Sequence, residues 1–147
     1  MKLLLDTHAL LWWLADDAQL GPAARRFIED PGNDVLVSTA SLWEIMVKQR
    51  IGKLEADIAE IVAALPREGF ALLDIRPAHL LTLTGLPMHH RDPFDHLLIA
   101  QAMAENATFV SEDRNAIRYP VQRIRCSDPL SPSNPPRQGG PWPWPNR

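Results

Sequence analysis

Lys2-Leu3-Leu4-Leu5-Asp6-Thr7-His8-Ala9-Leu10-Leu11 is an apolar run that stops at an acid and turns at once into helical spacing. So short a run, without polar alternation, suits a strand buried on both faces. We therefore expect a strand over Lys2–Asp6 and a helix from about His8 to Ala15. The alternation repeats downstream. Pro22 opens a helix through Glu29, and Asp34–Ser38, rich in Val and Leu, predicts a second strand. A helix follows over Ala40–Arg50, with apolar residues at Leu42, Trp43, Ile45 and Met46 and Gly52 to close it. Asp57 caps the next helix, predicted to end before Pro66. Phe70–Ile75 is a third strand, and Pro77 starts a helix through Thr84. Asp92-Pro93 begins a long helix to about Glu105. Thr108–Ser111 is a fourth strand, Asp113–Ile117 a short helix and Val121–Arg125 a fifth strand. Strands separated by helices imply crossover connections and a mainly parallel sheet covered on both faces, a three-layer α/β fold.

The 147 residues amount to about one domain. With 46% hydrophobic and 22% charged residues, the composition is that of a soluble globular chain. The longest apolar run, Ala9–Ala15, falls far short of the ~20 residues that span a bilayer. Asp6 interrupts what would otherwise start a secretory signal. The single Cys126 excludes an internal disulfide and a cysteine zinc cage, which fits a reducing, cytoplasmic compartment. A net charge of −3 lacks the strongly basic signature of a general nucleic-acid coat protein, but 12 of the 15 bases are Arg, the better partner for phosphate, and charge alone decides nothing. Residues 129–147 differ in kind from residues 1–128. They hold seven of the 14 prolines and two of the five tryptophans, so they read as an extended, largely disordered tail. A dispensable tail is the simpler reading, and a Pro-Trp-Pro-Trp-Pro docking peptide is the alternative.

Parallel α/β folds bind ligands beyond the carboxyl ends of their strands. Asp6 closes the first strand, Glu44 lies early in the helix after the second, Asp92 and Asp95 begin the helix leading into the fourth, and Asp113 follows the fourth. All five are expected along one edge. Gathered carboxylates repel one another and are tolerable together around a cation. Oxygen ligands without cysteine favour Mg²⁺ or Mn²⁺, and the chemistry such a site suggests is metal-assisted hydrolysis of a phosphate ester. Each acid also has a simpler reading. Asp6, Asp92 and Asp113 can cap helices, and Glu44 with Lys48 can be a surface pair. Lys48, Arg50, Lys53, Arg91 and Arg114 flank the edge as phosphate contacts or as a solvated face. His8, one turn from Asp6, orients it or is an ordinary turn residue. His89-His90 reads as loop or RNA contact rather than a metal site, and Trp12, Trp13 and Trp43 as core or dimer contacts.

Several segments together resemble the PIN domain family, in its VapC-type toxin branch. They are Met1-Lys-Leu-Leu-Leu-Asp-Thr-His-Ala-Leu-Leu-Trp, Ser41-Leu-Trp-Glu-Ile, Gly52-Lys-Leu, Arg91-Asp-Pro-Phe-Asp, Leu98-Ile-Ala-Gln-Ala and Val110-Ser-Glu-Asp. The likeness covers about residues 1–125. It implies a PIN-like fold and a Mg²⁺-dependent endoribonuclease, usually a homodimer held inactive by a small antitoxin, whose products carry a 5′-phosphate and a 3′-hydroxyl. It also implies an acidic set of Asp6, Glu44, Asp95 and Asp113, with Asp92 as an extra acid and Thr7 and Ser111 as supporting hydroxyls. Related sequences commonly carry Arg after Asp-Pro-Phe-Asp, where this chain has His96, mostly neutral at pH 7, which puts phosphate contact at that position in doubt. Two other functions compete. One is a phosphatase or phosphoryl-transfer protein using Asp6 as covalent acceptor, although haloacid-dehalogenase-type phosphatases place a second Asp where His8 stands. The other is a non-catalytic binding module.

Overall fold

The computed structural model describes residues 1–89 and 92–129. Its elements are β1 (Lys2–Leu5), α1 (Thr7–Leu14), α2 (Pro22–Glu29), β2 (Asp34–Ser38), α3 (Thr39–Arg50), α4 (Ile58–Arg67), β3 (Ala71–Leu73), α5 (Pro77–Thr84), α6 (Pro93–Ala104), β4 (Thr108–Val110) and β5 (Arg123–Ile124), with a 3₁₀ turn over Arg114–Arg118 between the last two. The five strands form one sheet in the order β3-β2-β1-β4-β5, and every pairing is parallel. The fold is the expected three-layer α/β arrangement.

Alternation along β1 explains how the layers are sealed. Leu3 and Leu5 face one core, with Leu10 and Trp13 of α1, Ile45 of α3 and Leu65 of α4. Leu4 faces the other, with Leu98 of α6 and Phe109 of β4. All three leucines are shut away from water, each contributing roughly 1.5–3 kcal/mol of apolar burial. A hydroxyl, an amide and an imidazole tie the second core to the sheet. Ser38 Oγ donates to Gln101 Oε1 at 2.5 Å, and Gln101 Nε2 lies 3.3 Å from His79 Nδ1.

The outer strands are shorter than their hydrophobic runs predict, and Asp74 and Ile75 beyond one of them and Gln122 and Arg125 beside the other are exposed. Helix α4 runs through Pro66 instead of stopping before it. Proline there withholds one hydrogen bond in the last turn, on a face where Val62 and Pro66 meet water, while burial of Leu65 holds the turn in place. Gly52, at φ +76°, lies just beyond α3 in the left-handed region that L side chains resist. Trp43 corrects the core reading. Helix α3 buries Ala40, Ser41, Glu44 and Ile45, so position 43 points outward and the indole is 54% exposed, edge-on to Phe94. Among the described residues no helix is long and apolar enough to cross a membrane.

Candidate active site

The sheet reverses its order of growth at β1, which pairs with β2 on one side and β4 on the other. The crevice beyond the carboxyl ends of two such strands is the natural ligand position. The residues that follow β1 and β4 meet there. Ser111 Oγ donates to Asp6 Oδ2 at 2.8 Å, and Thr7 N donates to Asp6 Oδ1 at 2.7 Å. Asp6 is only 5% exposed. Burial pushes its carboxyl above the usual carboxylate range, against the pull of the bonds from Ser111 and Thr7.

Glu44 reaches the same place from α3 and is 3% exposed. Thr7 Oγ1 donates to its Oε1 at 2.7 Å, and Lys48 Nζ donates to its Oε2 at 2.5 Å. The pair is therefore no solvated surface bridge, since one partner is buried and doubly held. Burial opposes the charge on Lys48, but its bond to Glu44 and the charges of Glu44, Asp92 and Asp95 outweigh that and hold the ammonium above its ordinary value. Thr7→Val keeps the shape and leaves Glu44 Oε1 without its donor. Urea unfolding is expected to show a loss of about 1–3 kcal/mol, and an unchanged midpoint would mean that Thr7 does not hold Glu44.

The remaining acids arrive by helix starts. Asp92 Oδ1 accepts from Phe94 N at 2.9 Å at the head of α6, and Asp113 Oδ1 accepts from Asn115 N at 2.9 Å at the 3₁₀ turn. The cap and site readings of these residues are thus compatible. The oxygen that caps is Oδ1 in both, and the same side chains line a cavity of about 410 Å³ with Asp6, Glu44 and Asp95. Asp95 shows the strain of the cluster. Burial, the charges of Asp6 and Asp92, and a hydrogen bond to Asp113 push its carboxyl up to about 9.

Six carboxylates and one lysine line the cavity, a strong excess of negative charge. The sixth is Glu112, which the sequence reading missed because it sits between two better-motivated residues. Burial opposes its charge, but Ser127 and Arg125 hold its carboxyl low, so it is tied to the wall. His8 and Trp12 line the cavity too, their rings 5.8 Å apart. Among the described residues no three His, Cys, Asp or Glu side chains form a ready-made metal cage. An all-oxygen set around an open cavity suits a cation that keeps several of its waters, as Mg²⁺ does.

The basic candidates divide. Lys48 lies in the wall, engaged with Glu44, whereas Arg50, Lys53 and Arg114 are exposed and do not line the cavity. Arg91 and His90 lie outside the described residues. His96, where related sequences commonly carry Arg, is buried with its ring edge-on to Tyr119, so this position packs and does not face the cavity.

Residues 3–122 match the family model described as PIN domain. The chain belongs to the PIN domain family. A curated relative of this PIN domain is Ribonuclease VapC22 of Mycobacterium tuberculosis, 29% identical over 114 residues, which span 76% of this chain and 86% of the relative. Among solved structures, VapBC2 from Rickettsia felis bound to a DNA fragment from their promoter matches with a TM-score of 0.61 at 17% identity, over 85% of this chain and 98% of that chain. VapBC-1 from nontypeable Haemophilus influenzae matches with a TM-score of 0.62 at 16% identity, over 87% of this chain and 100% of that chain. At these identities the structural matches speak for the fold. The PIN domain of this chain carries its acids just after β1, on α3, at the start of α6 and after β4.

Proposed function

We propose that this PIN domain is a Mg²⁺-dependent endoribonuclease, the toxin of a toxin–antitoxin pair, working in the cytoplasm as a homodimer restrained by a protein antitoxin. The observation that carries this is the single cavity into which four separate elements deliver Asp6, Glu44, Asp92, Asp95 and Asp113. Asp6, Glu44, Asp95 and Asp113 would hold the cation, with Asp92 beside them and Mn²⁺ as a substitute. When bound, the cation supplies positive charge against a phosphodiester and makes water nucleophilic at neutral pH.

The chain's own residues do the positioning. Ser111 and Thr7 fix the two oxygens of Asp6, Thr7 also fixes Glu44, and Lys48 neutralises part of the excess charge. That the curated relative is a ribonuclease supports RNA as substrate, and the VapBC assemblies among the structural neighbours support an antitoxin partner. Helix α5 exposes Leu80 and Leu81, an apolar face suited to a second copy. Asp6 as a phosphate acceptor fits poorly, because the side chain is buried and each oxygen already accepts a hydrogen bond.

The test is incubation of purified protein with total cellular RNA, with Mg²⁺ and with EDTA. Discrete fragments that need Mg²⁺ are expected. Cleavage undiminished in EDTA would overturn the metal-dependent reading.

A further inference from the structure

A second cavity, about 310 Å³, lies between α1 and α4 and has no role in the chemistry above. Its floor is apolar, built from Leu11, Leu14, Leu54, Ile61 and Ala64. Trp12 and His8 form one wall and continue into the acid cavity, which they also line. Glu55, Asp57 and Glu60 lie along the rim, with no lysine or arginine among the lining residues. A groove so charged repels nucleic acid and attracts a basic peptide with apolar side chains.

The chain contains such a peptide. Residues 130–147 carry Arg137 and Arg147, no acid, and the run Pro141-Trp142-Pro143-Trp144-Pro145. Alternating prolines favour an extended helix that docks in aromatic-lined grooves at low entropic cost. The attachment point is suitable. Cys126 O accepts from Gly21 N at 2.7 Å, which brings the chain back beside the connection leaving α1 three residues before Pro129. Six residues separate Gly21 from Ala15 on the groove wall, a span of at most about 20 Å. The 13 residues from Pro129 to Trp142 cover about 40 Å when extended.

We propose that the chain's own segment 130–147 docks in this groove, its Pro-Trp-Pro-Trp-Pro run against Trp12 and the apolar floor and its arginines toward Glu55, Asp57 and Glu60. The inference does not depend on the nuclease reading.

The test uses the full chain with Asn146→Cys and a nitroxide spin label. Cys126 is buried and its thiol pushed up to about 12, so it stays unlabelled at neutral pH. Amide signals of Ala15, Ala56 and Ile61 are expected to lose most of their intensity, and to regain it when Trp142→Ala and Trp144→Ala are added. Weak broadening spread over the whole surface, or broadening that survives loss of both tryptophans, would overturn the proposal. So would broadening found only when an isotopically unenriched labelled chain is mixed with an enriched unlabelled one, since the occupant would then be a second copy. None of these readouts involves RNA, so failure here and failure of the nuclease reading are separable.

Discussion

Asp6→Asn is expected to lower RNA cleavage by roughly 10²–10³-fold or more, the scale on which removal of one group stabilising developing charge is felt. Asp6 lies where the ends of β1 and β4 converge, and it is the most deeply set acid of the cavity after Glu44. The amide retains the shape and gives up the negative charge. Its oxygen keeps the bond from Thr7 N, and its NH₂ can donate to a lone pair of Ser111 Oγ. The protein should therefore stay folded. Because burial penalises the ionised carboxyl of Asp6, thermal unfolding without metal should occur at the same temperature or higher. Glu44→Gln provides the companion measurement, with loss of cleavage again expected. Wild-type rates in a folded Asp6→Asn protein would remove Asp6 from the reaction.

The second large effect is on the pH dependence of stability. Asp95 titrates near its ordinary 3.8 when unfolded and at about 9 when folded. Between these values the folded chain holds a proton that the unfolded chain has released. Stability without metal is therefore greatest at the acid end of this window and falls as pH rises toward about 9. Asp6, also raised, acts in the same direction. Thermal unfolding in EDTA should lose roughly a few degrees between about pH 5 and about pH 9. Asp95→Asn should flatten the slope. Mg²⁺ should oppose it, because a cation binds the ionised carboxylates and releases about one proton as it does so. Equal slopes with Mg²⁺ and with EDTA would mean that these acids do not bind the cation.

Much of this site was legible from the sequence, for a geometric reason. Asp6 and Asp113 follow the ends of strands, and Asp92 heads a helix that returns to a parallel strand; in a parallel sheet all such points share an edge. That rule needs only the alternation of elements, which the apolar runs around Leu3–Leu5 and Thr108–Val110 carry. Other parts depend on distant partners that spacing cannot show. Whether Glu44 and Lys48 form a surface pair or a buried one turns on Thr7, 37 residues away. The exposure of Trp43 follows from which face of α3 meets the sheet. The Ser38–Gln101–His79 network joins three positions that no local pattern connects. The groove between α1 and α4 arises only when both helices cover the same face.

The placement of β1 has a further consequence, for synthesis. Leu4 pairs with Leu36 on one side and Phe109 on the other, so the earliest-made of the five described strands becomes the middle of the sheet. At about 5–20 residues per second, roughly 5–20 seconds pass before its second neighbour is made. During that interval one flank of β1 is open and Asp6 has no Ser111. Until β4 is made, the nascent chain is thus a half-sheet without a completed acid cavity.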